Sequence, residues 1–231
     1  PQQTNTTLAL VRMTPPAPEI LSQLETLDLD PRRPLIISDA DEVLLRFMAQ
    51  LEHFLEKRGL WIDLGNFAIN GNIKSLETNQ PVEFPDLIDE FFDAETRDIQ
   101  PTSGAAQSLE TLAARAQIIV LTNLPAKNKQ ERIDNLNAHG MNYPVVVGSG
   151  AKGPAVAWLS ARISAPVFFL DDIPHNVDSV AEHAPQVRRI HFVADPRLAK
   201  LIGPAKGATT RIDVWNEAYD WISRELTQAG Y

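Results

Sequence analysis

Cysteine is absent from the 231-residue chain, which removes disulfides, thiolate zinc sites and cysteine nucleophiles. No apolar run approaches the ~20 residues that span a bilayer, and the apolar stretch at residues 8–11 is too short for a secretory core. The expectation is a soluble, cytoplasmic protein with no membrane partner. Basic clusters are missing too: Arg32-Arg33 and Arg188-Arg189 are isolated pairs, and the formal net charge is -9. Such a surface repels phosphate backbones, so nucleic acid is not expected as a partner. His53, His139, His183 and His191 share no ligand spacing. No internal repeat or low-complexity tract is present, and nothing in the sequence speaks to oligomeric state.

The 44% hydrophobic content is enough for one α/β domain with a small second module. Residues 1–17 are polar and then proline-rich, which reads as a loose arm. Ile20, Leu21, Leu24 and Leu27 fall on one face of a short helix. Five short apolar runs follow, at residues 35–38, 117–121, 143–147, 166–170 and 187–193, with helical patterns between the later ones. Runs of this kind predict parallel strands covered on both faces. Residues 214–228 predict a closing helix with Trp215, Tyr219, Trp221 and Ile222 as core anchors. The expected fold is α/β: a three-layer Rossmann-like parallel sheet with helices on both faces, formed by residues 18–43 and 116–231.

Residues 44–115 are too many for a direct crossover. They open with Leu44, Leu45, Phe47, Met48, Leu51, Phe54 and Leu55 at helical spacing, and Gly59 marks a stop. Trp61-Ile62, Phe67-Ala68-Ile69, an Asn70-Gly71 turn signal and a second helical patch (Leu87, Ile88, Phe91, Phe92) follow. This stretch is expected to be a small, mainly helical insertion over the mouth of the sheet.

Ligands of open parallel sheets lie at the carboxyl ends of the strands. The first run is followed by Asp39-Ala40-Asp41, the second by Thr122-Asn123 and the fourth by Asp171-Asp172, while Lys152 opens a helix beyond the third. Two unit charges ~4 Å apart at an effective dielectric of 20 interact by roughly 4 kcal/mol. Several aspartates in one pocket therefore need a cation or take up protons. An all-oxygen set favours Mg²⁺. Lys152 and the Thr122 hydroxyl supply the positive charge and donor that a phosphoryl group requires.

Asp-x-Asp-x-Val after a strand, Thr-Asn after a strand, Lys at a helix start and Asp-Asp after a strand together resemble the haloacid dehalogenase (HAD) superfamily, over about residues 34–192. The resemblance implies a phosphoric monoester hydrolase acting on a small phosphorylated metabolite. It implies Asp39 as nucleophile and metal ligand, and Asp41 as general acid and then base, its backbone carbonyl touching the metal. Thr122, Asn123 and Lys152 would bind the phosphoryl group, with Thr122 and Lys152 also catalytic. Asp171 and Asp172 would complete the Mg²⁺ site. An aspartate at position 41 points to phosphate esters rather than carbon–halogen bonds. The 44–115 insertion resembles a cap, and the interval between Lys152 and Asp171 has no room for a second one.

Competing readings use the same residues. Phosphotransfer to an acceptor other than water and a catalytically silent phosphate-binding scaffold both remain compatible. A phosphorylation-switch receiver has its acidic pair early and its lysine last; here an acidic pair follows the lysine, and the insertion has no counterpart there. Lys127 and Lys129 read as solvated helix residues, and His175 and Asn176 as serving the loop after the acidic pair and the next helix. Arg46, Trp61, Phe67 and Asn70 read as packing or solvent-facing residues of the insertion.

Overall fold

The computed structural model describes residues 14–65, 68–69 and 71–231. Most of the expected N-terminal arm, and Phe67 and Asn70 with its turn signal, lie outside the described residues. In chain order the elements are α1 (Pro18–Leu24), β1 (Leu35–Ser38), α2 (Phe47–Glu56), β2 (Leu60–Ile62), β3 (Ile73–Ser75), α3 (Leu87–Glu95) and α4 (Ala105–Ala113). They continue with β4 (Gln117–Asn123), α5 (Lys129–Ala138), β5 (Val145–Gly148), α6 (Gly153–Ser160), β6 (Val167–Asp171) and α7 (Pro174–His183). The chain closes with β7 (Arg188–His191), α8 (Pro196–Ala199), β8 (Thr210–Arg211) and α9 (Trp215–Gln228).

Six strands form one sheet in the order β5-β4-β1-β6-β7-β8, every pair parallel. The pleat sends alternate side chains to opposite faces. Ile36, Val120, Phe168 and Leu170 pack with α2, α4 and α9 on one side. Leu35, Ile37, Leu121 and Phe169 pack with α1, α6 and α7 on the other. The result is the expected three-layer α/β architecture. Strand order reverses across the β1–β6 pair, and this switch point is where such sheets open a crevice for ligands.

Three local details depart from expectation. β4 runs on to Asn123 and β6 to Asp171, so Thr122, Asn123 and Asp171 sit within strand ends rather than beyond them. β8 has no apolar pattern to announce it; its two residues pair with the β7 edge. Finally, α2 starts at Phe47, not Leu44. Leu44 and Leu45 are instead buried in a tight turn after Asp41, closed by Leu44 and Leu45 N–H groups donating to the Ala40 carbonyl. Glu42 adopts φ 54 in that turn, a left-handed conformation that usually suits glycine.

The segment between β1 and β4 has paired backbones near its two ends. Arg46 N–H donates to Gln100 O at 2.9 Å, and Thr102 N–H to Leu44 O at 2.8 Å. Between these points lie α2, the β2–β3 hairpin and α3. Phe47 and Phe54 of α2 meet Phe91 and Phe92 of α3 in edge and tilted ring contacts. The helix α4, by contrast, packs on β4 and α9.

Candidate active site

Asp39 follows β1 directly, and its N–H donates to Leu170 O on β6 at 2.9 Å. That bond sets Asp39 beside Asp171 across the switch point. Lys152 reaches them from the start of α6. The helix can approach because residue 153 is glycine: a Cβ there would lie 2.4 Å from the Ser179 backbone and side-chain oxygens of α7. Lys152 is only 3% exposed. Its Nζ sits 2.9 Å from Asp39 Oδ1 and 2.7 Å from Asp171 Oδ2. Burial works against the ammonium, but the charges of Asp171 and Asp39 hold its pKa above the usual lysine range.

The Asp39 Oδ1 atom also accepts the Ala40 N–H at 2.7 Å. Asp171 accepts from Ile173 N–H at 2.9 Å and from the Asn176 amide at 3.0 and 3.3 Å. Burial raises the Asp171 pKa, with Lys152 pulling the other way. Asp172 is different. It is 6% exposed, and its carboxylate has no partner among the described residues. Burial, then the charges of Asp171, Asp39 and Glu42, push its pKa well up.

Oxygen atoms of Asp39, Asp171 and Asp172 lie within 4.8 Å of one another. One ammonium against three carboxylates leaves two negative charges uncompensated. The donor set is all oxygen and one member is buried and unpaired, so these residues fit a hard divalent cation.

Asp41 has a separate partner. Arg132 on α5, with no exposed side-chain surface, grips it with NH1 at 2.8 Å from Oδ1 and NH2 at 3.1 Å from Oδ2. Burial raises the Asp41 pKa and Arg132 opposes the rise. The neighbouring Glu42 accepts Met48 N–H at 2.6 Å and Asp195 N–H at 2.9 Å. It thereby fastens the turn to the start of α2 and to the loop before α8. Burial pushes its pKa up to about 7.

Thr122, on β4 beside β1, is fully buried, and its hydroxyl has no partner among the described residues. The Asn123 amide donates to Gly150 O at 2.9 Å, tying the strand end to the loop that carries Lys152. A cavity of ≈ 470 Å³ opens above this floor, lined by Asp39, Asp41, Asn123 and Asp172 below and by residues of the insertion above.

No family profile matches the sequence, and no curated protein does. Solved structures do. A HAD family hydrolase from Deinococcus radiodurans R1, with bound phosphate and sodium, superimposes with TM-score 0.59 at 16% identity, over 87% of this chain and 99% of that one. CbbY from Rhodobacter sphaeroides, in complex with phosphate, gives 0.51 at 16% identity over 79% and 95%. The magnesium-bound YfnB from Bacillus subtilis gives 0.53 at 13% identity over 84% and 100%. The chain has the HAD hydrolase fold.

Within this HAD fold, three residues escaped the sequence reading. Arg132 sits in a polar helix and resembles any surface arginine. The one available signal was its spacing from Asn128 and Asn135, which are buried on the same side of α5 and its approach. Asn176 lies on α7, in the helix that the sequence places after the acidic pair, and its amide clamps Asp171. Glu42 lay unremarked between Asp41 and Val43. Of the insertion residues, Arg46 lines a separate cavity, and the Trp61 ring carries Lys74 Nζ 5.2 Å from its centroid.

Proposed function

We propose that the protein is a HAD-type phosphatase that hydrolyses a small phosphate monoester with the help of Mg²⁺. The observation that carries this reading is the Lys152 ammonium held between Asp39 and Asp171 at the sheet's switch point, beside the unpaired Asp172. Bound phosphate in two structures of the same fold and magnesium in a third support it.

In the first step the Asp39 carboxylate attacks phosphorus, the P–O bond to the leaving alcohol breaks, and an aspartyl-phosphate forms. Asp41 gives its proton to the departing oxygen. In the second step Asp41 takes a proton from water, whose oxygen attacks phosphorus and releases phosphate, restoring Asp39. Lys152 keeps Asp39 in place and offsets charge on the phosphoryl oxygens. The unpartnered Thr122 hydroxyl is a donor for one of those oxygens, and Asn123 holds the loop beside it. Mg²⁺, held by Asp39, Asp171, Asp172 and the Asp41 carbonyl, would neutralise the phosphate and orient it. Residues between the paired backbones at 46 and 100 would form the cap, a narrower unit than the 44–115 expected from the sequence.

Phosphotransfer to another acceptor needs the same residues, and structures of the same fold include two assigned as β-phosphoglucomutases. The test is release of phosphate from an aryl phosphate with Mg²⁺, its loss on EDTA addition, and its loss in Asp39→Asn. Turnover in Asp39→Asn equal to that of the wild type would remove the nucleophile assignment.

A further inference from the structure

Above the carboxylate floor, the cavity walls are apolar. Phe47 and Met48 come from α2, Leu64 and Ile69 from the segment between β2 and β3, and Ile88 and Phe92 from α3. Ile173 and Leu198 close the core side. No cationic side chain and no hydroxyl lines this space among the described residues.

The polar groups that do line it already use part of their hydrogen-bonding capacity within the protein, and what remains on the carboxylates accepts but does not donate. Arg132 holds both oxygens of Asp41. Met48 and Asp195 N–H groups take one oxygen each of Glu42. The Asn123 amide nitrogen is bonded to Gly150 O, and that of Asn176 to Asp171. Asp39 and Asp172 belong to the reacting centre. A polyol leaving group would lose hydration of its hydroxyls and find few donors in return, which is costly. A hydrocarbon would displace water from the same walls at a gain.

From this we infer that the substrate is a phosphate monoester with an apolar leaving group, an alkyl or aryl alcohol, rather than a sugar or other polyol phosphate. The inference rests on the phosphatase reading and names its substrate class. The cavity volume of ≈ 470 Å³ lies in the range of small-molecule sites, so these walls have room for a short hydrocarbon.

The experiment compares primary phosphate esters, so that leaving-group chemistry stays nearly constant: ethyl, n-propyl, n-butyl and n-hexyl phosphate, with glycerol 3-phosphate and glucose 6-phosphate. The expected result is a rise in kcat/KM of up to about fourfold per methylene along the alkyl series. n-Propyl phosphate should exceed glycerol 3-phosphate, its diol counterpart, by about tenfold or more. Ile88 is half-buried, so Ile88→Asn should fold, as checked by circular dichroism, and should reduce the hexyl-to-ethyl ratio. A flat alkyl series, an unchanged ratio in Ile88→Asn, or a preference for either polyol ester overturns the inference and leaves the phosphatase reading standing. Absence of Mg²⁺-dependent phosphate release from every ester, an aryl phosphate included, takes away both.

Discussion

Arg132 and Asp41 form a two-point ion pair, 2.8 and 3.1 Å, in which the arginine side chain is wholly enclosed. A planar guanidinium fixes a carboxylate in position and plane in a way an ammonium does not. Arg132 is thus a positioning residue for the proposed acid–base group. Arg132→Met should destabilise the fold by about 3–5 kcal/mol, because it strands a largely buried carboxylate. It should also move the Asp41-dependent limb of the pH–rate profile to higher pH, since the opposing cation is gone. Arg132→Lys should keep most of the stability and still lose activity. Unchanged kcat and pH profile in Arg132→Met would show that the pair serves packing alone.

The cluster of Asp39, Asp171 and Asp172 should make the metal-free protein sensitive to divalent cations. Mg²⁺ at 100 times its dissociation constant should stabilise the fold by about 2.7 kcal/mol, read as a rise in melting temperature that EDTA reverses. Asp172→Asn should reduce that rise. It should also raise the melting point of the metal-free protein at pH 8, because a carboxyl whose ionisation is opposed by burial and by Asp171, Asp39 and Glu42 is replaced by a neutral amide. A melting point indifferent to Mg²⁺ would speak against the site.

Stability of the metal-free protein should depend on pH in the direction set by buried acids. Glu42 is pushed from 4.5 up to about 7, and Asp41, Asp171 and Asp172 are also raised, burial being the leading cause in each. A carboxyl group with a raised folded pKa binds its proton more tightly when folded. Its contribution is full below the unfolded value near 4.5 and is lost as pH rises through about 7. For Glu42 alone the loss is about 3 kcal/mol. Thermal melts in EDTA should therefore fall in midpoint from pH 5 to pH 8, and Mg²⁺ should counter the fall at pH 8. A midpoint that climbs across that range would contradict the assignment.

Asn176 orients a proposed metal ligand without being one. Removing its amide takes away one hold on Asp171 and leaves those of Lys152 and the Ile173 N–H, so Asn176→Ala should weaken Mg²⁺ activation by about tenfold. Excess metal should restore much of kcat, a recovery that Asp171→Ala should not show. Titration of activity against Mg²⁺ separates the two.

Much of this was legible in the chain. The apolar runs at residues 35–38, 117–121 and 166–170 became strands because Val, Ile, Leu and Phe buried on both faces leave no other economical backbone arrangement. The acidic, hydroxyl and cationic groups at their ends then had to converge on one edge of a parallel sheet. The start of α2 was less legible: Leu44 and Leu45 share the helical period of Phe47 and Met48. They are buried instead by the turn that Glu42 makes in the left-handed region, and a hydrophobic period cannot distinguish the two forms of burial.

Asp39, Asp41, Thr122, Lys152, Asp171 and Asp172 were therefore marked by sequence order alone, because strand-end position is a local property. Their partners were not. Arg132 lies 91 positions from Asp41, and no periodicity relates an arginine in one helix to a carboxylate beyond another strand. The apolar roof likewise draws on α2, α3 and the segment between them. Which of their faces turn toward the carboxylates depends on how the insertion folds back over the sheet. Local pattern determined which charged and polar groups stand at the strand ends; long-range packing decided what orients them and which apolar walls face them.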